Sequence, residues 1–361
     1  MRTLGIDPGT VSIDICGLHD GAVFLDRSIP TAEAVADVAG FVELLAGAGA
    51  ALIAGPSGYG LPLMPVERVS DEMLRLAFLA PAGENGGIMG MRSLVRALAS
   101  AKLPVVLTPG VVHLPSVPAH RKINRVDMGT ADKVCATALA IHRQAERRGC
   151  ALSEVSFILL ELGGAFSAAI AVSEGRIVDG MGGTAGPLGA RAAGALDGEV
   201  AFLAGHVSKS LLFQGGVSSI LGDSDDPRER LTEPSSERER LARAAFVESA
   251  AKAVAALTIS VPHPYEILLS GRMARGGDGS GSIERELGVR LAPIAPVRRL
   301  DGVARVSKEA AQGAALIANG LAGGACEPLV ATLGIREAAG TVLDHLYVVS
   351  PDAARHTLGI D

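Results

Sequence analysis

The sequence predicts an α/β protein built from two related lobes, and three observations carry that prediction. An ungapped self-match lays residues 4–24 on residues 158–178, an offset of 154. Each copy reads as strand, glycine turn, returning strand, acidic–Gly turn and third strand. Helical segments with recognisable start and stop signals follow each copy. The length agrees, since 361 residues exceed one ordinary core and suffice for two lobes.

The first copy runs Leu4-Gly5-Ile6-Asp7-Pro8-Gly9-Thr10 and continues from Ile13 to Phe24. The second runs Ile158-Leu159-Leu160-Glu161-Leu162-Gly163-Gly164 and continues from Ser167 to Val178. Asp7 falls on Glu161, Gly9 on Gly163, and Asp20-Gly21 on Glu174-Gly175. Acidic–Gly turns between apolar runs are common. An acidic strand end and a glycine turn recurring in one register are not, and they point to duplication.

The remaining elements follow in order. Ala51–Ala54 reads as a buried strand. The uncharged stretch Leu44–Val66 around it holds Pro56, Pro62 and Pro65, which would break a membrane-spanning helix. Thr130 reads as an N-cap, with Asp132 in the first turn, Arg147 and Arg148 in the last, and Gly149 as the stop. Ser236-x-x-Glu239 is a capping box before a long apolar-striped helix. Ser307 starts an Ala-rich helix running through Asn319. Gly222–Arg240 reads as a solvated loop leading into the capped helix, and Gly276–Ser282 as a flexible one. These elements divide the chain into a first lobe, 1–150, a second, 151–325, and a C-terminal segment, 326–361, expected to pack back on the first lobe.

Composition narrows the partners. Trp is absent and only 8 Phe and 3 Tyr occur, so Ala, Val, Leu and Gly must build the core. The net charge is −6 and the basic residues are dispersed, which argues against a nucleic-acid partner. Cys16, Cys135, Cys150 and Cys326 form no C-x-x-C pair, so reduced, mostly buried thiols are expected. The opening strand-like run Thr3–Ile6, without a basic-then-apolar leader, gives the expectation of a cytoplasmic protein with no membrane partner.

An acidic strand end followed by small residues suits a nucleotide. Glycine lets turn N–H groups approach phosphate oxygens, and the carboxylate can hold a hydrated Mg²⁺. Asp7 is the candidate metal ligand, and Gly9, Thr10, Gly163 and Gly164 are the candidate phosphate turns. Glu161 is either an active-site carboxylate or a buried structural one. Ser57 and Tyr59, in the Gly55–Gly60 loop, either contact substrate or belong to a Gly/Pro loop. Asp127 is either a general base or a carboxylate favoured by the following helix dipole. Arg121, Lys122 and Arg125 either meet an anion or solvate a surface.

At these motifs the chain resembles the actin / sugar kinase / Hsp70 superfamily, over nearly its whole length. The resemblance implies duplicated ribonuclease H-like (actin-like ATPase) lobes, mixed sheets flanked by helices, and an inter-lobe nucleotide cleft. Leu4–Thr10 resembles the first phosphate motif and Leu159–Ala165 the second. Glu266–Met273 resembles the adenosine motif, which implies Ser270, Gly271, Arg272 and Met273 as nucleotide contacts. Thr130–Arg148 and Lys308–Leu321 resemble the two connecting helices, whose small residues Ala136 and Gly313 let the lobes pivot.

Within that superfamily the chain is most similar to acetate and butyrate kinases and to a butyrate-kinase-like, DUF1464-type group. Gly182–Arg191, followed by Ala195-Leu196-Asp197-Gly198-Glu199, resembles the segment carrying an acyl kinase's catalytic arginine. That match implies Arg191 as a donor to the transferring phosphoryl group; otherwise it is a solvated loop arginine. The chain departs from acyl kinases in having Glu161 where they begin the second motif with histidine, and Gly271-Arg272 where paired glycines are usual. It also lacks a clear counterpart of their second catalytic arginine. The resemblance implies a Mg-ATP-dependent kinase for a small carboxylate acceptor, with ATP and Mg²⁺ as cofactors and dimerisation by analogy. Two alternatives stand beside it: an ATPase that regulates or reactivates a partner enzyme, and a sugar or polyol kinase.

Overall fold

The duplication is visible in the strands. In the computed structural model, which describes residues 1–81, 91–222, 227–275 and 282–360, the first copy forms β1 (Arg2–Pro8), β2 (Ser12–His19) and β3 (Ala22–Pro30). They are joined antiparallel, and the sheet extends through β4 (Leu52–Pro56), β5 (Met64–Pro65) and β6 (Val105–Thr108) in the order β3-β2-β1-β4-β6-β5. The second copy forms β7 (Phe157–Leu162), β8 (Ser167–Ser173) and β9 (Arg176–Met181). With β10 (Glu266–Ser270) and β11 (Val297–Arg299) it makes a sheet of order β11-β10-β7-β8-β9. In each sheet the first hairpin strand also pairs in parallel with the strand beyond it, β4 or β10.

The repeat extends to local irregularities. A bulge between Gly17 and Leu18 recurs between Ala171 and Val172. The Asp20-Gly21 turn has φ values of 50° and 85°, and Glu174-Gly175 repeats them at 53° and 72°. Such a left-handed pair matches the strand twist and is readily adopted when the second residue is Gly. Gly9 N donates to Ser12 O at 2.9 Å, and Gly163 N donates to Phe166 O at 3.0 Å. Residues 154 apart thus do the same backbone work.

The helices explain how the sheets are held. Numbered as introduced, α1 (Val38–Gly47), α2 (Asp71–Phe78) and α3 (Met91–Ser100) lie along the first half of the chain. Next come α4 (Ala131–Arg148), α5 (Glu237–Leu257), α6 (Ile283–Leu291), α7 (Glu309–Leu321) and α8 (Glu327–Leu333). Ser236 and Glu239 form the expected capping box of α5, an arrangement worth about 1 kcal/mol. Helix α5 packs on β7, β8 and β9. Strand β7 alternates between two cores: Phe157 and Leu159 join the larger cluster with α4 and α7, while Ile158, Leu160 and Leu162 join the one under α5 and α6. Burial on both faces is why this strand is a continuous apolar run.

Three sequence expectations are adjusted. Helix α7, placed with the second lobe by the 151–325 division, lies on β1, β2 and β4 of the first sheet. A Cβ on Gly5 would stand 2.1 Å from Ala311 O, so glycine permits this contact. The helix starts after Lys308 rather than at Ser307. Asp26 accepts the amides of Arg305, Val306 and Ser307 at 2.7–2.8 Å, which keeps those residues out of the helix. Thr130 stands at the N-cap of α4, but its hydroxyl bonds Asp132 instead of the backbone.

The C-terminal segment supplies Leu329, Val330, Leu333, Ile335 and Leu343 to the larger core. It also bonds the first half of the chain, through Ala339 N to His113 O and Asn124 N to His345 O. Residues 223–226 and 276–281, parts of the loops expected at Gly222–Arg240 and Gly276–Ser282, lie outside the described residues. Among the described residues no helix is long and apolar enough to cross a membrane. The four cysteines are free, Cys16 and Cys135 buried and the others partly so.

Candidate functional site

A cleft of about 900 Å³ receives both hairpin turns. Asp7, Gly9 and Thr10 line it from the first hairpin, Glu161, Gly163 and Gly164 from the second, and Gly271 and Arg272 from the turn after β10. Tyr59 and Asp127 line it as well. The strand ends deliver their acidic residues to one space because β1 and β7 each end beside their own glycine turn.

Between the strand ends stands the start of α4. Lys133 Nζ lies 2.6 Å from Asp132 Oδ2 and 2.6 Å from Glu161 Oε1. All three side chains are largely shielded from solvent. Burial alone would lower the Lys133 pKa, but Asp132 and Glu161 outweigh it and raise it above the ordinary lysine range. For Asp132 burial pushes up, yet Lys133 and the Thr130 hydroxyl hold it below the usual carboxylate range. Glu161 is raised, by burial first, although Lys133 pulls the other way.

Asp7 is the exceptional carboxylate. Burial, and next Asp132, push its pKa from 3.8 up to about 7, against the pull of Lys308 and Lys133. It faces Asp14 in the β1–β2 register. Asp14 is fully buried, accepts Lys308 Nζ at 2.8 Å and Ser12 Oγ at 2.8 Å, and leaves Oδ1 without a partner. The floor is therefore a carboxylate-rich patch threaded by two ammonium groups.

Asp127 is buried and engaged. Its Oδ2 accepts Thr184 N and Thr184 Oγ1 at 2.8 Å each, and its Oδ1 accepts Gly129 N at 3.3 Å. It thereby ties the loop after β9 to the start of α4, while burial raises its pKa. Tyr59 is similarly raised by burial, and Lys209 Nζ lies 5.1 Å from its ring centre. Arg191 reaches over from the second half of the chain, its Nη2 donating to Thr10 Oγ1 at 3.3 Å. Its Nε is buried without a hydrogen-bond partner.

Arg191 stands beside Thr10 without itself lining the cleft, and three further expected contacts do not reach it. Ser57 Oγ donates to Thr108 O at 2.7 Å and accepts Leu61 N at 3.0 Å, so it organises the loop from beneath. Ser270 is buried at the end of β10, and Met273 belongs to the core under α5. The positive φ of Gly271, 89°, turns the chain after β10 into a short helical turn, Arg272–Arg275, whose Met273 and Ala274 are buried. Lys122, read as either an anion contact or a surface cation, is instead buried and donates to Leu114 O at 3.2 Å.

Four contributors were missed in the sequence. Asp132 looked like an ordinary helix-start carboxylate and Lys133 carried no motif. Asp14 and Lys308 meet only because α7 lies on the first sheet. One signal was available: Asp14 sits where a buried β2 side chain belongs, and a charge in an apolar strand asks for a partner.

Among the described residues no group of three His, Cys, Asp or Glu is gathered to hold a metal by itself. Mg²⁺ is ordinarily held through one or two carboxylates plus waters and phosphates. Asp7 and Asp132 meet that description. The raised pKa of Asp7 marks a carboxylate whose charged form is disfavoured by burial and by the neighbouring Asp132.

Similar folds are known. An acetate kinase from Entamoeba histolytica is 12% identical, with a TM-score of 0.59 over 83% of this chain and 96% of that one. An acetate kinase from Porphyromonas gingivalis is 13% identical, at 0.59 over 87% and 98%. A propionate kinase from Francisella tularensis subsp. tularensis is 13% identical, at 0.61 over 86% and 98%. These similarities show the fold alone, an α/β architecture shared with the acetate and propionate kinases. No curated protein matches the chain in sequence. Matched from residue 5 to residue 348 by the profile of the protein family of unknown function DUF1464, the chain belongs to that family.

Proposed function

We propose that the protein binds Mg-ATP in this cleft and transfers its γ-phosphoryl group to a small carboxylate acceptor. One observation carries the reading: Asp7 and Glu161, equivalent positions of the repeat, end their strands on the same cleft beside glycine turns. Gly9 and Gly163 spend their amides closing those turns. The phosphate donors are therefore the next amides, at Thr10 and Gly164. Asp7, assisted by Asp132, would hold Mg²⁺, which when bound offsets phosphate charge.

The state of the carboxylates favours this acceptor over a sugar. Glu161 is paired with Lys133, Asp132 with Lys133 and Thr130, and Asp127 with Thr184 and Gly129. A hydroxyl acceptor needs a base to take its proton. A carboxylate has no proton to lose. Its oxygen bonds the γ-phosphorus as the bond to the departing ADP oxygen breaks, giving an acyl phosphate and ADP. Arg191, already beside Thr10, would donate to the phosphoryl oxygens during that exchange.

The test combines calorimetry with turnover. Mg-ATP titrated into the protein is expected to give saturable heat, and short carboxylic acids to stimulate ADP release. Nucleotide binding with slow, acceptor-independent hydrolysis across acids and polyols would favour the regulatory ATPase instead. No heat with Mg-ATP would overturn both.

A further inference from the structure

The charge of the cleft wall changes sign where α2 and α3 border it. Arg75, Arg92 and Arg96 line the cleft there, with Asp71 as the nearby carboxylate. Arg96 Nη2 pairs with Asp71 Oδ1 at 2.7 Å. Arg92 instead donates to the carbonyls of Ala80 at 2.6 Å and Pro81 at 3.3 Å, and Arg75 to that of Gly359. Carbonyls orient a guanidinium without neutralising it.

Among the described residues these three arginines surround one carboxylate, a local excess of positive charge in a chain whose net charge is −6. The same wall includes the apolar side chains of Leu74, Phe78, Leu212 and Phe213. Low-dielectric walls focus such a field on whatever enters. The floor beneath Asp7, rich in carboxylates, suits a magnesium-bound polyphosphate, whereas this rim suits a bare anion. A short monocarboxylate would spend its only charge at the reacting end and leave the rim without a counterpart.

We propose that the rim is the acceptor's subsite and that the acceptor is a dianionic acid. One carboxylate would take the phosphoryl group, and a second anionic group, carboxylate or phosphate, would rest on the rim across a short apolar stem. This rests on the phosphotransfer reading. The reacting oxygen bonds the γ-phosphorus, ADP leaves with the electrons of the broken bond, and the second anion is unchanged.

Binding and turnover separate the two claims. Glutarate, 3-phosphonopropionate and butyrate are titrated calorimetrically into the protein, and acceptor-dependent ADP release is measured for each. Both dianions are expected to bind roughly tenfold or more tightly than butyrate. That advantage should shrink several-fold in Arg92→Gln and Arg96→Gln and grow in Asp71→Asn. A gain in Asp71→Asn cannot come from misfolding. Equal binding of butyrate and the dianions, or an Asp71→Asn variant no better than the parent, overturns the rim and leaves phosphotransfer standing. Tight dianion binding without ADP release keeps the anion site and overturns the transfer reading. Activity with phosphonopropionate but not glutarate assigns the second group as a phosphate-type anion.

Discussion

Asp7 concentrates the electrostatic tension of the site in one side chain. Its pKa rises from 3.8 to about 7 on folding, so between those values the folded protein holds a proton that the unfolded chain has released. Its contribution to stability is therefore greatest at low pH and declines as pH climbs through about 4 to 7. Asp7→Asn should stabilise the nucleotide-free protein at pH 8 by up to about 4 kcal/mol, read from urea denaturation, while weakening Mg-nucleotide binding at least tenfold. A variant both less stable and still competent for magnesium would contradict the assignment. In the parent protein, binding should weaken as pH falls below about 7, because the carboxylate must shed its proton first. Lys133 is the complementary case, a cation gripped by two carboxylates. Lys133→Met leaves Asp132 and Glu161 shielded without it and should cost about 3 kcal/mol at pH 7. The loss should be smaller at pH 5, where Glu161, already raised, protonates more readily.

At the scale of elements, the crossing of α4 and α7 is the tightest seam. A Cβ on Gly313 would come within 1.7 Å of Cys135 O, so the helices touch backbone to backbone. Helix propensity alone says that Gly313→Ala should stabilise by up to about 1 kcal/mol. Packing says the reverse, because the helices would have to separate in a core with no slack. We expect a loss of about 2–3 kcal/mol, seen as a lower midpoint in thermal denaturation; an unchanged or higher midpoint would refute the close crossing. The hairpins were legible in the sequence because their rules are local: alternating burial, a left-handed acidic–Gly turn, a glycine after the acidic strand end. The resting place of α7 was not, because its Ala-rich surface fits any small-residue partner. Only Gly5 and the alanines of α4 reveal which one it meets.

For the whole molecule, the decisive arrangement is that the two hairpins open on one cleft, with Arg191 reaching from the second half of the chain to Thr10. Arg191→Gln should lower turnover by about 10²–10³-fold and change the nucleotide KM only a few-fold, if the guanidinium acts on the transferring group. Were it only a latch between lobes, KM would move and the turnover of bound substrate would not. Steady-state kinetics with saturating acceptor distinguish the two. Ser57, Ser270 and Met273 show the complementary lesson, since proximity in sequence to a motif did not carry them into the cleft. Each lies beside a residue that does line it, but the local backbone aims it inward: Ser57 ties its own loop, Ser270 ends a strand buried throughout, and Met273 sits in the tight helical turn that follows.

What the sequence determined by itself is the duplicated α/β architecture and the carboxylate and glycine turn in each half. Hairpin register, strand burial and helix capping depend on neighbours a few residues away, and those neighbours are written side by side. The tertiary structure alone decided that Asp14 meets Lys308, that Lys133 joins Asp132 to Glu161, and that the arginines of α2 and α3 border the cleft. Such pairings join residues up to 294 positions apart, as Asp14 and Lys308 are. Charge and desolvation fix them only after the chain has brought them together.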